Sequence, residues 1–108
     1  MIFAGKGGGE ITAWSIETYE QVGIMKNHAG GVLAVCLSED EKLLFSTGGD
    51  AIVNVWDAVG FKLLYSIYST FDVGDLFCVA YSSRLQTVYF GAQNTSVQVC
   101  GNSYLLLR

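Results

Sequence analysis

The chain has 108 residues, a net charge of −4, and six Lys and Arg against ten Asp and Glu. That balance leaves no basic patch to neutralise a phosphate backbone, which argues against nucleic acid as a partner. About half the residues are apolar and 15% are charged, a folded rather than a disordered composition. No apolar run approaches the roughly 20 residues of a membrane span, and the opening MIFAGKGGGE lacks the apolar core of a secretory signal.

In chain order, the first marked feature is GKGGGE at 5–10. A phosphate-cradling loop needs GxxxxGK[ST] opening a helix. Here Lys6 precedes the glycines and the strand-like ITAWSI follows, so the stretch is predicted as a hairpin turn. Alternating apolar residues then predict strands over 11–16, 21–26, 32–37, 43–47, 53–57, 63–68, 76–81, 87–91 and 96–100. The breaks SEDEK (38–42), GGDAI (48–52) and AVGFK (58–62) are rich in turn residues. The acidic SEDE within the first is read as a solvated turn, not a metal cluster. Helical periodicity is absent. Cys36, Cys78 and Cys100 include no CxxC pair and lie in strand-like runs. They are read as buried thiols of a reducing, cytoplasmic setting.

The chain is also self-similar. An offset of 42 places Phe3 on Phe45, Ile11 on Val53 and Trp14 on Trp56. An offset of 44 places Val79 on Val35, Ser82 on Ser38, Asn94 on Asp50, Val97 on Val53 and Val99 on Val55. This divides the sequence into an incomplete unit (1–27), a complete one (28–70) and a second incomplete one (71–108) with an atypical tail, CGNSYLLLR, from 100. A plain β-sandwich of short strands is the alternative, but a sandwich has no reason to repeat at a fixed period.

Four short strands in a unit of 40–45 residues that closes on Trp-Asp resemble the blade of a WD-repeat β-propeller. The pattern runs from His28 through 32–37 to Asp50 and on to Trp56-Asp57. The implied fold is all-β, a partial propeller of about two and a half four-stranded antiparallel blades. The resemblance also implies a buried polar chain: Asp50 accepts from His28 and from backbone N–H groups, His28 meets Ser46, and Ser46 accepts from the indole of Trp56. Asp57 caps the strand end and the turn after it. The neighbouring units depart from this pattern, with Gly8 and Asn94 at the Asp50 position, Ser15 at Asp57, Asp72 at His28 and Cys100 at Trp56.

Over 2–99 the chain is similar, more narrowly, to the WD-repeat region of fungal glutathione-degrading peptidase subunits. The pieces that carry this are IFAGKGGGEITAWSIETYE (2–20), LLFSTGGDAIVNVW (43–56), DVGDLF (72–77), LQTVYFG (85–91) and QNTS (93–96). That resemblance implies a non-catalytic interaction segment, without metal or cofactor, of a cytosolic peptidase complex. Its implied partner is a glutamine-amidotransferase-like subunit. A co-catalytic zinc site needs several His, Asp and Glu ligands, which one His cannot supply. The alternatives are a WD-repeat scaffold of another pathway and a small hydrolase using His28, Ser46 and Asp50, the residue types of a triad. Blades at the two ends have uncovered faces and edges, so self-association is also expected. Trp14, Tyr19, Tyr65, Tyr68 and Tyr89 are candidates for a partner surface, with packing between sheets the more ordinary use of such rings.

Overall fold

The computed structural model describes residues 1–68, 73–94 and 96–101. Asp72, the connector around it and the tail beyond Gly101 lie outside these residues. Every regular element described is a strand: β1 (Ile2–Gly5), β2 (Glu10–Trp14), β3 (Gln21–Lys26), β4 (Val32–Leu37), β5 (Leu43–Gly48), β6 (Ile52–Asp57), β7 (Lys62–Tyr68), β8 (Leu76–Ser82), β9 (Thr87–Ala92) and β10 (Val97–Cys100). They form three antiparallel sheets in simple up-and-down order: β1-β2-β3, β4-β5-β6-β7 and β8-β9-β10. Among the described residues the fold is all-β, a partial propeller. Its shortest dimension is 19 Å, about one six-residue strand.

The alternation that marks the strands decides which side each residue takes. In β9 it is plain: Val88, Phe90 and Ala92 are buried while their neighbours are not. The central sheet loses this alternation, because β5 (LLFSTG) is buried along its whole length. It lies between the other two sheets and buries both sides. One side gives Leu44, Trp56 and Ala58 to a cluster with Ile11 and Met25 of the first sheet. The other gives Phe45, Val53 and Val55 to a cluster with Leu76, Val88 and Phe90 of the third. In the latter, Phe45 stacks on Tyr81 with ring centroids 4.5 Å apart.

The sequence offsets reappear as geometry. Ile2 pairs with Trp14 as Leu44 pairs with Trp56, and Val79 pairs with Phe90 as Val35 pairs with Ser46. The irregularities repeat as well. The register slips between Ala13 and Trp14 and again between Val55 and Trp56, and between Val32 and Ala34 and again between Leu76 and Cys78. A bulge adds local twist to the strand that carries it, so each sheet is twisted at the same places.

Several details differ from the sequence reading. Residues 2–5 form a strand that alternation in so short a stretch does not reveal. The run 11–16 begins one residue early and stops at Trp14, where Ser15 Oγ accepts from the backbone N–H of Glu17 and Thr18. Strand ends elsewhere move by one residue. The cysteines are not all buried: Cys78 is exposed and Cys36 and Cys100 are half-buried, all as free thiols. Cys78 pairs with Gly91 on the uncovered side of the third sheet. Burial raises the pKa of the Cys100 thiol. Among the aromatics, Tyr19 and Tyr68 are largely exposed, whereas Tyr65 packs against the core.

Candidate functional site

Ser46 sits in the middle of β5 and Trp56 next to the end of β6, on the side of the central sheet that faces the first. His28 lies in the connector 27–31 between β3 and β4, and Asp50 in the turn 49–51 between β5 and β6. Antiparallel pairing sets Ser46 opposite Asn54, so the Trp56 indole, two residues further along β6, reaches back across the strands. Its Nε1–H donates to Ser46 Oγ at 2.8 Å. Ser46 Oγ lies 2.7 Å from His28 Nε2. On the other side of the ring, Nδ1 lies 3.0 and 3.1 Å from the two Asp50 oxygens. Asp50 Oδ2 also accepts from the backbone N–H of Ala29 at 3.0 Å. One donor order uses each hydrogen once: indole N–H to Ser46, Ser46 O–H to His28 Nε2, and His28 Nδ1–H to Asp50.

Serine, histidine and aspartate in this order have the contacts of a hydrolytic triad, but the surroundings are not those of a nucleophile. Ser46 is 0% exposed, its oxygen is already occupied by an indole N–H, and a substrate carbonyl has no path to it. The arrangement can do one thing: hold the β3–β4 connector against β5 and β6 through polar groups that burial makes costly to separate.

Asp57 ends β6, and its Oδ1 accepts from the backbone N–H of Val59 at 2.9 Å and of Gly60 at 3.1 Å. These bonds hold its carboxyl below the usual aspartate pKa. Asp57 follows Trp56 at the opposite end of β6 from the Asp50 turn, and its bonds go to the β6–β7 turn. SEDE forms a turn in which Asp40 accepts from the Ser38 hydroxyl at 2.6 Å and from the Lys42 N–H at 3.1 Å. Chiefly the Ser38 bond lowers the Asp40 pKa. Among the described residues no group of three or more His, Cys, Asp and Glu is placed to hold a metal ion.

A second polar link was not anticipated from sequence. Asn54 is 0% exposed; its Oδ1 accepts from Ser66 Oγ at 2.7 Å and from Asn27 Nδ2 at 3.1 Å. Asn27, next to His28, thereby ties the connector to β6 and β7. The only signal for it is an Asn in the middle of an otherwise apolar strand, VNV at 53–55.

The first sheet shows what happens without the full set. Ala4 stands at the Ser46 position and Gly8 at that of Asp50. The Trp14 indole turns instead to Thr12 Oγ1, at 3.0 Å. The GKGGGE stretch is a hairpin turn closed by the Gly9 N–H to Lys6 carbonyl bond at 3.1 Å. Gly9 has φ +93°, a conformation glycine adopts at little cost.

Residues 19–57, which hold the whole polar chain, match the family model of the WD domain, G-beta repeat. The chain belongs to the WD-repeat family. It is 31% identical to the probable di- and tripeptidase DUG2 of Saccharomyces cerevisiae over 115 aligned residues, which is 90% of this chain and 13% of that protein. It is 44% identical to the U3 small nucleolar RNA-associated protein 18 homolog of Arabidopsis thaliana over 53% of this chain and 10% of that one. The chain thus spans about an eighth or less of these relatives. In the solved structure of U3-55K, 32% of that chain superposes on 92% of this WD-repeat chain with a TM-score of 0.84 at 21% identity, a likeness of fold.

Proposed function

We propose that this WD-repeat chain is a non-catalytic scaffold segment that works in the cytoplasm within a glutathione-degrading peptidase complex, where it docks a glutamine-amidotransferase-like subunit. The observation that supports this reading is the extent of one likeness. Similarity to DUG2 runs over 90% of the chain, across all three sheets, whereas the RNA-associated relative matches 53%, little more than one repeat. Matches confined to the residues any blade needs reflect the fold. A match over 90% of the chain extends beyond those residues and supports a closer kinship. Three unpaired thiols suit a reducing compartment.

The test is binding of the purified chain to the purified amidotransferase-like protein of the same organism, measured by calorimetry. Saturable 1:1 binding is expected, together with no hydrolysis of a Cys-Gly dipeptide by the chain alone in the presence of zinc. Absence of binding removes the peptidase-complex assignment and leaves a WD-repeat scaffold of another pathway. Hydrolysis that Ser46→Ala abolishes and Trp56→Phe spares establishes the small-hydrolase alternative.

A further inference from the structure

Where the central and third sheets meet, a cavity of about 300 Å³ opens between the β4–β5 turn and the β8–β9 turn. That volume is at the small end of ligand pockets. The β4–β5 turn supplies Ser38, Asp40 and Lys42 to one wall, and β8 and the turn after it supply Tyr81, Ser83 and Gln86 to the other.

Parts of both walls are fixed by bonds already made. The Tyr81 ring is held by its stack on Phe45, with centroids 4.5 Å apart. Ser38 Oγ donates to Asp40 Oδ1 at 2.6 Å and accepts from the Leu43 N–H at 3.0 Å, so its one hydrogen is spent. The N–H of Lys42 also donates to Asp40 Oδ1, at 3.1 Å. Both bonds to this carboxylate therefore end on the same oxygen. Asp40 Oδ2, the Lys42 ammonium, the Ser83 hydroxyl and the Gln86 amide make no side-chain hydrogen bond or ion pair among the described residues.

Asp40 and Lys42 are the charged residues of the lining, and they are not paired with each other. A ligand that fills the cavity takes water from both. An anion suits Lys42 but meets the Asp40 carboxylate, and a cation suits Asp40 but meets the Lys42 ammonium. A neutral ligand leaves two partly dehydrated charges without partners. A molecule with one charge of each sign satisfies both. The Ser83 hydroxyl and the Gln86 amide can each donate and accept, and so add bonds at either end of it.

From these relations we infer that the cavity binds a small zwitterion, a free amino acid or a dipeptide. The ammonium group of the ligand meets Asp40 Oδ2 and its carboxylate meets Lys42 Nζ, with Ser83 and Gln86 beside them. Such a site does not depend on which complex the chain joins.

Amide-resolved NMR titration of the 108-residue chain tests it, with glycine and glycylglycine as probes. Saturable shifts confined to 38–43 and 81–87 are expected, and the tighter probe decides between amino acid and dipeptide. Acetylating the amino end of that probe removes the ammonium, and amidating the other end removes the carboxylate. Each change is expected to weaken binding about tenfold or more, because a charge-assisted bond is lost. Asp40→Asn, which keeps an oxygen for the turn, and Lys42→Gln are each expected to weaken the unblocked probe about as much. Glu39→Gln, in the same turn but outside the lining, should leave binding unchanged. Lys42→Gln carries the test alone if Asp40→Asn alters the turn. The absence of saturable shifts with both probes overturns the inference. So does full affinity for a blocked probe or in Lys42→Gln, and so does an equal loss in Glu39→Gln, which indicates general charge attraction.

Discussion

Trp56 and Ser46 lie on adjacent strands and are joined by one indole N–H bond of 2.8 Å, and through it the end of β6 is connected to a histidine outside the sheet. Ser46 Oγ is the shared point, touching both Trp56 Nε1 and His28 Nε2. Removing it by Ser46→Ala leaves two buried ring nitrogens without partners. Each unsatisfied buried group costs about 1–3 kcal/mol, so a loss of about 2–6 kcal/mol is expected. In Trp56→Phe only one bond goes, along with part of the ring volume. The double variant should cost less than the two singles added, because once Ser46 is gone the indole has no bond left to lose. Urea denaturation of the four proteins measures this; strict additivity argues against a coupled chain.

Asp50 is the terminus of the same chain, bonded to His28 and to the N–H of Ala29. Asp50→Ala is expected to cost about 2–3 kcal/mol, since it strands a buried imidazole N–H and a backbone donor. Glu39, in the exposed β4–β5 turn, provides the control, and Glu39→Ala should stay within about 0.5 kcal/mol of wild type. A thermal melt that shifts equally for both variants shows that the polar chain contributes no stability.

The repeat was legible because it rests on large residues at fixed spacing: Trp14 and Trp56, Val53 and Val97, Val55 and Val99. Such residues bury a side of a sheet, and burial constrains identity at a period. The bonds of His28, Ser46 and Asp50 could be named only through the family resemblance, because alternation says nothing about a residue in a connector. The Asn27–Asn54–Ser66 link was not legible, since its three members lie in different elements and carry no pattern. Nor do the turns declare their backbone in the sequence. Tyr19, Glu41, Ala51, Phe61 and Gln86 each take a positive φ, between 49° and 61°. Tyr19 and Phe61 close their hairpins by donating to the carbonyls of Ser15 and Asp57. Hairpins of this type need one left-handed residue, and the surrounding bonds impose it on side chains that do not advertise it.

Gly9 is a turn position where the residue type does matter. Its φ of +93° disfavours any side chain, and an added Cβ meets the carbonyl oxygen of His28 and lies 3.0 Å from that of Gly30. Both are backbone atoms and cannot move aside as a side-chain tip can. Gly9→Ala is therefore expected to cost about 2 kcal/mol or more and to displace the connector that carries His28. At Gly7 an added Cβ meets nothing within 4 Å, so Gly7→Ala should be nearly neutral. Comparable denaturation midpoints for the two variants contradict this account of the turn.

Asp57 links stability to pH. Its carboxylate accepts from Val59 and Gly60, and these bonds lower its pKa in the folded state. A carboxyl depressed on folding adds stability above its unfolded pKa, about 3.9, and loses it as pH falls through the lower folded value. The contribution should thus be constant at neutral pH and decline below about pH 4. Asp57 is solvent-facing, so the contribution is small. Asp57→Asn keeps an acceptor for the turn but removes the titration. The difference in urea midpoint between wild type and Asp57→Asn is expected to be flat from pH 7 to about pH 5 and to shrink toward pH 3. A difference that grows on acidification reverses the sign and places the bonding preference on the protonated form.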